Sequence, residues 1–200
     1  MDIYKGRLEV ICGSMFCGKS EELIRRLRRA EIARKNVLVF KHCLDDRATL
    51  EHVVSHNGTT IRAFPIDDHT EILKLVTPEI DVIGIDEVQF FDPSIVATIL
   101  ELVDNKKRVI AAGLDLDFRG IPFGSIPPLL AVADSVTKLK AICITCGNDA
   151  HFSQRLVNGF PAKFNDPIVQ ICAEESYEAR CRECFSIDRR PKVSYEQISF

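Results

Sequence analysis

The chain holds no apolar run that approaches membrane-spanning length, and Met1-Asp2-Ile3-Tyr4-Lys5-Gly6 lacks the hydrophobic stretch of a signal peptide. No membrane partner is expected, and the chain reads as cytoplasmic. Basic charge is not in surplus: 26 Lys and Arg face 29 Asp and Glu, for a net charge of -3. No global field therefore gathers nucleic acid, and aromatic and basic residues are not interleaved as a groove for a single strand requires. Internal repeats and low-complexity tracts are missing as well. What remains is 200 residues at 46% hydrophobic, enough for one domain with its own core plus an appendage.

Cysteine, by contrast, is plentiful at eight. In a reducing compartment disulfides do not persist, so the information lies in the spacing. Cys12, Cys17, Cys43 and Cys172 are isolated. Cys143 with Cys146, and Cys181 with Cys184, form two C-x2-C pairs with 34 residues between them. Four thiolates in two knuckles suit tetrahedral Zn2+, and four thiolates leave no open coordination position, so the site reads as structural. Zinc would staple a segment with too little core to fold alone. A redox pair is the competing reading, and it leaves the matching of the two knuckles unexplained.

The richest stretch is Val10-Ile11-Cys12-Gly13-Ser14-Met15-Phe16-Cys17-Gly18-Lys19-Ser20. An apolar strand turns directly into G-x-x-x-x-G-K-S. Gly13 and Gly18 let the backbone wrap closely with its N–H groups inward, Lys19 reaches the outer phosphates, and the Ser20 hydroxyl suits Mg2+. A helix beginning near Lys19 aims its positive end at the same anion. A nucleoside triphosphate is therefore the expected ligand, bound by Gly13, Ser14, Met15, Phe16, Cys17, Gly18, Lys19 and Ser20.

Around this motif, short apolar runs alternate with amphipathic ones. Arg7–Cys12 reads as a strand and Glu21–Lys35 as a helix with Leu23, Leu27 and Ala30 on one face. Runs 36–40, 60–65, 81–85 and 108–113 are rich in β formers. Runs 68–76 and 93–103 have helical spacing, the latter with Pro93 in its first turn and Asp92 as cap. Near-continuous apolar strands such as Val82-Ile83-Gly84-Ile85 predict a parallel sheet covered on both faces, hence an α/β P-loop domain. The long polar segments 41–58 and 115–128 are candidate functional loops. Near Ala141 the character changes as Pro, Gly, Asn and Cys become frequent. The expected organisation is a nucleotide-binding domain over 1–140, a zinc-binding unit over 141–187 and a loose tail over 188–200. The basic run Arg25-Arg26-x-Arg28-Arg29, interleaved with Glu21, Glu22 and Glu31, reads as a solvated helix face.

The strand at 81–85 ends in Asp86-Glu87. An acid at a strand end after a P-loop is expected to help hold Mg2+, and a second acid beside it is placed to take a proton from an oxygen nucleophile. Water and an alcohol are both open at this point. A P-loop ATPase with a zinc module acting on nucleic acid is the alternative to a kinase, and the charge balance argues against it.

Several strings occur together here: the P-loop with Met15-Phe16; Asp86-Glu87-Val88-Gln89-Phe90-Phe91; Ala112-Gly113-Leu114-Asp115 followed by Phe118 and Pro122-Phe123-Gly124; the two C-x2-C pairs; and Glu175-Ser176-Tyr177-Glu178 before Cys181. This combination resembles the zinc-containing (type II) thymidine kinases over roughly residues 7 to 185. The resemblance implies a RecA-like P-loop parallel-sheet domain with a small zinc-binding domain that carries a lasso over the nucleoside. It implies transfer of the ATP γ-phosphate to the 5′-hydroxyl of thymidine, with Glu87 as general base and Ser20 and Asp86 on the magnesium side. It places Asp86, Glu87, Val88 and Gln89 against ATP, and Asp45 and Arg47 near the phosphates and metal. It assigns Met15, Leu114, Phe118 and Phe123 to the thymine pocket, Tyr177 to the nucleoside, and the backbone of Ile168, Val169, Gln170, Ile171 and Cys172 to the base edge. Cys172 stands where the family's lasso usually has Gly, and a side chain there restricts the backbone. Thymidine triphosphate as feedback inhibitor and a homotetrameric assembly are implied in the same way.

Overall fold

The computed structural model describes residues 6–44, 52–54, 60–168 and 175–188. In chain order the elements are β1 (Arg7–Cys12), α1 (Lys19–Ile32), β2 (Val37–His42), β3 (His52–Val54), β4 (Thr60–Arg62), β5 (Phe64–Ile66), α2 (Thr70–Leu75), β6 (Val82–Asp86), α3 (Ile95–Asp104), β7 (Arg108–Gly113), α4 (Ile126–Val132) and β8 (Ser135–Lys138). There follow β9 (Ala141–Ile142), β10 (Asp149–Ala150), β11 (Phe152–Val157), β12 (Phe160–Pro161) and β13 (Glu175–Arg180).

Six strands form one parallel sheet in the order β5-β2-β6-β7-β1-β8. Its central strands β6 and β7 are apolar on both faces because both faces are covered. On one face lies α1, whose Leu23, Ile24, Leu27 and Ala30 form a buried stripe with Ile11, Val39, Ile110 and Ala112. On the other face Ile72 of α2, Ile95 and Ile99 of α3, and Ile126 and Leu129 of α4 pack with Val10, Ile83, Ile85 and Val109. A Cβ on Gly84 would meet Leu27 Cδ1 at 2.8 Å, so the missing side chain lets α1 lie close to the sheet.

Three local readings change. The run 60–65 is not one strand: Thr60–Arg62 pairs antiparallel with β3, while Phe64–Ile66 joins the main sheet beside β2. There Pro65 sits on the edge strand, the place in a sheet that tolerates a missing N–H. Helix α4 begins at Ile126, with Pro127 and Pro128 inside its first turn, where their lack of an N–H costs nothing. The arginine face of α1 is not simply solvated. Arg26 is held by Glu9 at 2.8 Å, Glu22 at 2.7 Å and Thr137 at 2.8 Å, and buried Glu9 also binds Arg108 at 2.8 Å.

Beyond β8 the strands pair antiparallel. β9 pairs with β10, and β11 lies between β12 and β13. Asp188 bridges to Lys163, and residues 189–200 lie outside the described part. Several contacts join this unit to the sheet domain, among them Arg155 over the Phe118 ring at 4.9 Å. Phe152 stacks on Phe185 at 4.5 Å between ring centres, beside Gly120, and Met15 N–H donates to Ser153 Oγ at 2.9 Å. Among the described residues no helix is long and apolar enough to cross a membrane.

Candidate active site

The loop between β1 and α1 curls because three of its residues adopt left-handed backbone: Gly13 at φ 143°, Phe16 at φ 64° and Gly18 at φ 85°. A side chain at Gly13 would meet Leu139 O at 2.4 Å, so this position needs Gly for space as well. Successive N–H groups turned inward in this way make an anion cradle at the start of α1. Lys19 Nζ is tethered to Ser14 O at 2.8 Å within the loop, and Ser14 Oγ is buried without a hydrogen-bond partner among the described residues. A buried hydroxyl and a lysine at the mouth of a helix fit a polyphosphate.

Between β1 and β6 runs β7, so the loop and the strand end Asp86-Glu87 are one strand apart. Ser20 Oγ donates to Asp86 Oδ2 at 3.2 Å, and Asp86 Oδ1 accepts the Glu87 N–H at 3.1 Å. Two oxygen donors of this kind are what Mg2+ takes from protein when phosphates supply the rest. Glu87 is buried and itself left-handed, at φ 53° and ψ 40°, a conformation that costs a non-glycine residue energy and concentrates at functional sites.

Beside Glu87 lies a cavity of about 200 Å3. Met15, Leu114, Phe118, Phe123, Ile168 and Tyr177 line it, together with Leu44, Phe90, Leu116, Asp117 and Ser153. The first six were named from sequence. Of the others, Phe90 is one 3-10 turn beyond Glu87 and packs edge-on to Phe123 at 5.6 Å. Its place in the string Gln89-Phe90-Phe91 was the available signal. Leu116 and Ser153 carried none, since only pairing with Pro122 and the passage of β11 under the loop bring them in. Asp45, Arg47, Val169, Gln170, Ile171 and Cys172 lie outside the described residues.

Several groups around the loop are shifted by their surroundings. Burial, reinforced by the Asp115 carboxylate, pushes the Cys12 thiol up to about 11. Burial also raises Cys17, so neither is a ready thiolate. Lys138, paired with the Asp115 carboxylate at 2.7 Å, is raised. Burial lowers His42, whose Nδ1 accepts the Leu44 N–H at 3.1 Å, which sets its neutral tautomer.

Farther out, the Sγ atoms of Cys143, Cys146, Cys181 and Cys184 all lie within 4.8 Å of one another. Both knuckles are brought together because β13 pairs with β11 and Ile144 N–H bonds to Ala179 O. Burial opposes ionisation of Cys143, yet backbone hydrogen bonds from Cys181, Cys146 and Thr145 outweigh it and lower the thiol to about 6. Hydrogen bonding to the Cys181 and Cys146 sulfurs, with burial, pushes Cys184 up to about 12. Four sulfurs this close cannot all ionise unaided, and a divalent cation resolves the conflict. Cys17 of the phosphate loop packs against the buried cluster of Ala141, Cys143, Ala150, Ala179 and Cys181.

Compared with known proteins, residues 6–185 match the model of the family described as thymidine kinase. A solved structure titled "Replication initiator DnaA bound to AMPPCP and single-stranded DNA" is similar at 17% identity and a TM-score of 0.41. The match takes in 70% of this chain and 41% of that one, so the chain spans less than half the length of that protein.

Proposed function

The chain belongs to the thymidine kinase family, and from that premise we propose that it transfers the γ-phosphoryl group of ATP to the 5′-hydroxyl of thymidine, yielding ADP and thymidine monophosphate. One observation carries this reading: the phosphate loop and the aromatic cavity meet at two adjacent carboxylates. Asp86 bonds to Ser20 of the loop, its neighbour Glu87 lines the cavity, and Met15 belongs to both.

In this reading ATP lies on residues 13–20 and along Asp86–Val88, with Lys19 and the N-terminus of α1 against the outer phosphates. Magnesium on the Ser20 and Asp86 side would neutralise charge on the phosphates. Asp45 and Arg47 join that side. Met15, Leu114, Phe118 and Phe123 sandwich the thymine ring, and Phe90 and Leu116 complete the apolar wall. Glu87 accepts the 5′-hydroxyl proton as the oxygen attacks the γ-phosphorus. The bond from that phosphorus to the bridging oxygen breaks, and ADP leaves with the electron pair. The backbone from Ile168 to Cys172, with Tyr177, closes over the base edge. Mismatched bases are rejected because their polar groups, or those of the lid, stay unpaired.

Zinc on Cys143, Cys146, Cys181 and Cys184 holds the segment that carries this lid. The unit 1–140 would then supply the chemistry and 141–187 the selection, with 188–200 as a tail. Feedback by thymidine triphosphate, a homotetramer and a cytoplasmic location belong to the same proposal.

A panel of nucleosides tested with ATP and Mg2+, beside an ATPase control without nucleoside, tests the assignment. Thymidine should be the best acceptor. Deoxyuridine, which lacks only a methyl group, should fall behind by no more than roughly 10–200-fold in kcat/KM. A purine nucleoside equal to thymidine overturns the substrate, and ATP hydrolysis indifferent to nucleoside overturns the kinase.

A further inference from the structure

The Gln89 side chain is buried, although it is a polar residue beside a polar site. Its Nε2 donates to Glu87 Oε2 at 2.6 Å, and its Oε1 accepts the Leu114 N–H at 3.0 Å. A carboxylate only accepts and an N–H only donates, and a primary amide, with its donor and acceptor on separate atoms, serves both at once. The surroundings make room for it. A Cβ on Gly113 would lie 2.4 Å from Gln89 Oε1, and one on Gly124 would lie 2.1 Å from the Gln89 carbonyl oxygen. Glycine thus stands at both places where the end of β7 and the loop that follows it close on this one residue.

From this geometry we infer that Gln89 is a positioning residue that sets the Glu87 carboxylate in register with the nucleoside cavity, and is not a phosphate contact. The inference rests on the proposed role of Glu87 as base. The left-handed backbone of Glu87 turns its side chain out of the strand direction, and the charge-assisted bond from Gln89 fixes where the carboxylate points. The other end of the same amide holds Leu114, a wall of the cavity. Base and binding wall are tied through a single planar group. A misplacement of about 1 Å between such parts costs on the order of 100-fold in rate.

The test is a double-mutant cycle of Gln89→Glu with Glu87→Gln, read as kcat and KM for thymidine and ATP. Gln89→Glu keeps the shape and the acceptor for Leu114 but replaces the neutral donor to Glu87 with a second carboxyl, which at 2.6 Å must share one proton with it. In the wild-type background kcat should fall about 10- to 100-fold, with both KM values changed less than about threefold. In the Glu87→Gln background the same change should cost less than about twofold, because the group it acts through is gone. Gln89→Met removes the acceptor too and should raise KM for thymidine besides lowering kcat. Equal losses of kcat in both backgrounds, or a rise in KM for ATP in place of the fall in kcat, overturn the positioning role. Near-normal kcat in Glu87→Gln alone overturns the base assignment instead. If a single variant fails to fold, Gly113→Ala, which presses on Gln89 Oε1, gives the same comparison, with the kcat loss again expected only where Glu87 is present.

Discussion

In the parallel sheet, Val10, Ile83 and Val109 are fully buried between helices on both faces, whereas the buried cluster of the cysteine-rich unit is made of Ala141, Cys143, Ala150, Ala179 and Cys181. On β11 of that unit three consecutive buried residues are polar: Ser153, Gln154 and Arg155. Large aliphatic side chains stabilise the first region by apolar area removed from water, at roughly 25 cal/mol per Å2. Small residues and sulfur cannot do the same for the second, so its order depends on what the four thiols hold. The two regions meet at one candidate site all the same, because Ser153 holds the Met15 N–H of the β1–α1 loop and Ile168 and Tyr177 line the cavity. In the proposed reading, a scaffold stable without metal presents the chemistry and a unit ordered by metal closes it.

The sharpest way to break that contrast is Cys146→Ser. Structural zinc in small units is worth about 10–16 kcal/mol in apparent binding energy, so its loss should disorder most of the unit from Ala141 onward. Metal analysis should fall from one zinc per chain to none, and hydrogen exchange should rise in β11 and β13 while β1, β6 and β7 stay protected. Protection lost throughout the sheet would mean that the two regions are not separately stabilised.

Ile83→Ala probes the opposite side. It leaves a cavity in the middle of the sheet and should lower the unfolding free energy by about 2–5 kcal/mol in urea, with zinc content unchanged. A smaller effect comes from the surface of α1. Hydrogen bonding to Arg25, and then to Arg26, holds the Glu22 carboxyl down at about 2 in the folded chain, against an ordinary value of 4.5. Its contribution is therefore complete above pH 4.5 and is lost as pH falls toward 2. Since the pair is partly solvated, Glu22→Gln should reduce the stability difference between about pH 7 and pH 3 by about 1 kcal/mol or less. Thermal unfolding at the two pH values measures it. No reduction would mean that the Arg25 and Arg26 contacts are screened out in solution.

Much of the site was legible because its chemistry is written in contiguous residues. The phosphate loop is a local backbone conformation, so Gly13, Gly18, Lys19 and Ser20 announce it by spacing alone. The pairing of Asp86 with Glu87 at a strand end, and each C-x2-C knuckle, are local in the same sense. The strand limits at β1 and β7 followed from apolar runs that only a doubly covered sheet explains. The split of 60–65 did not follow, because the same β formers serve a ribbon or a sheet edge until partners are known.

The sequence by itself determined which short-range parts are present: a nest for phosphate, adjacent acids, thiol pairs and the apolar strands that carry them. Backbone geometry and side-chain chemistry over a few residues suffice for those. Only the tertiary structure decided which parts meet. Ser20 reaches Asp86 across 66 positions of sequence, Ser153 reaches Met15 across 138, and Gln89 joins Glu87 to Leu114. It also buried Glu9 under Arg26 and Arg108, where the helix pattern alone read a solvated face. The order of strands in the sheet sets these encounters. That order reflects burial summed over the whole core, which no local stretch of residues encodes.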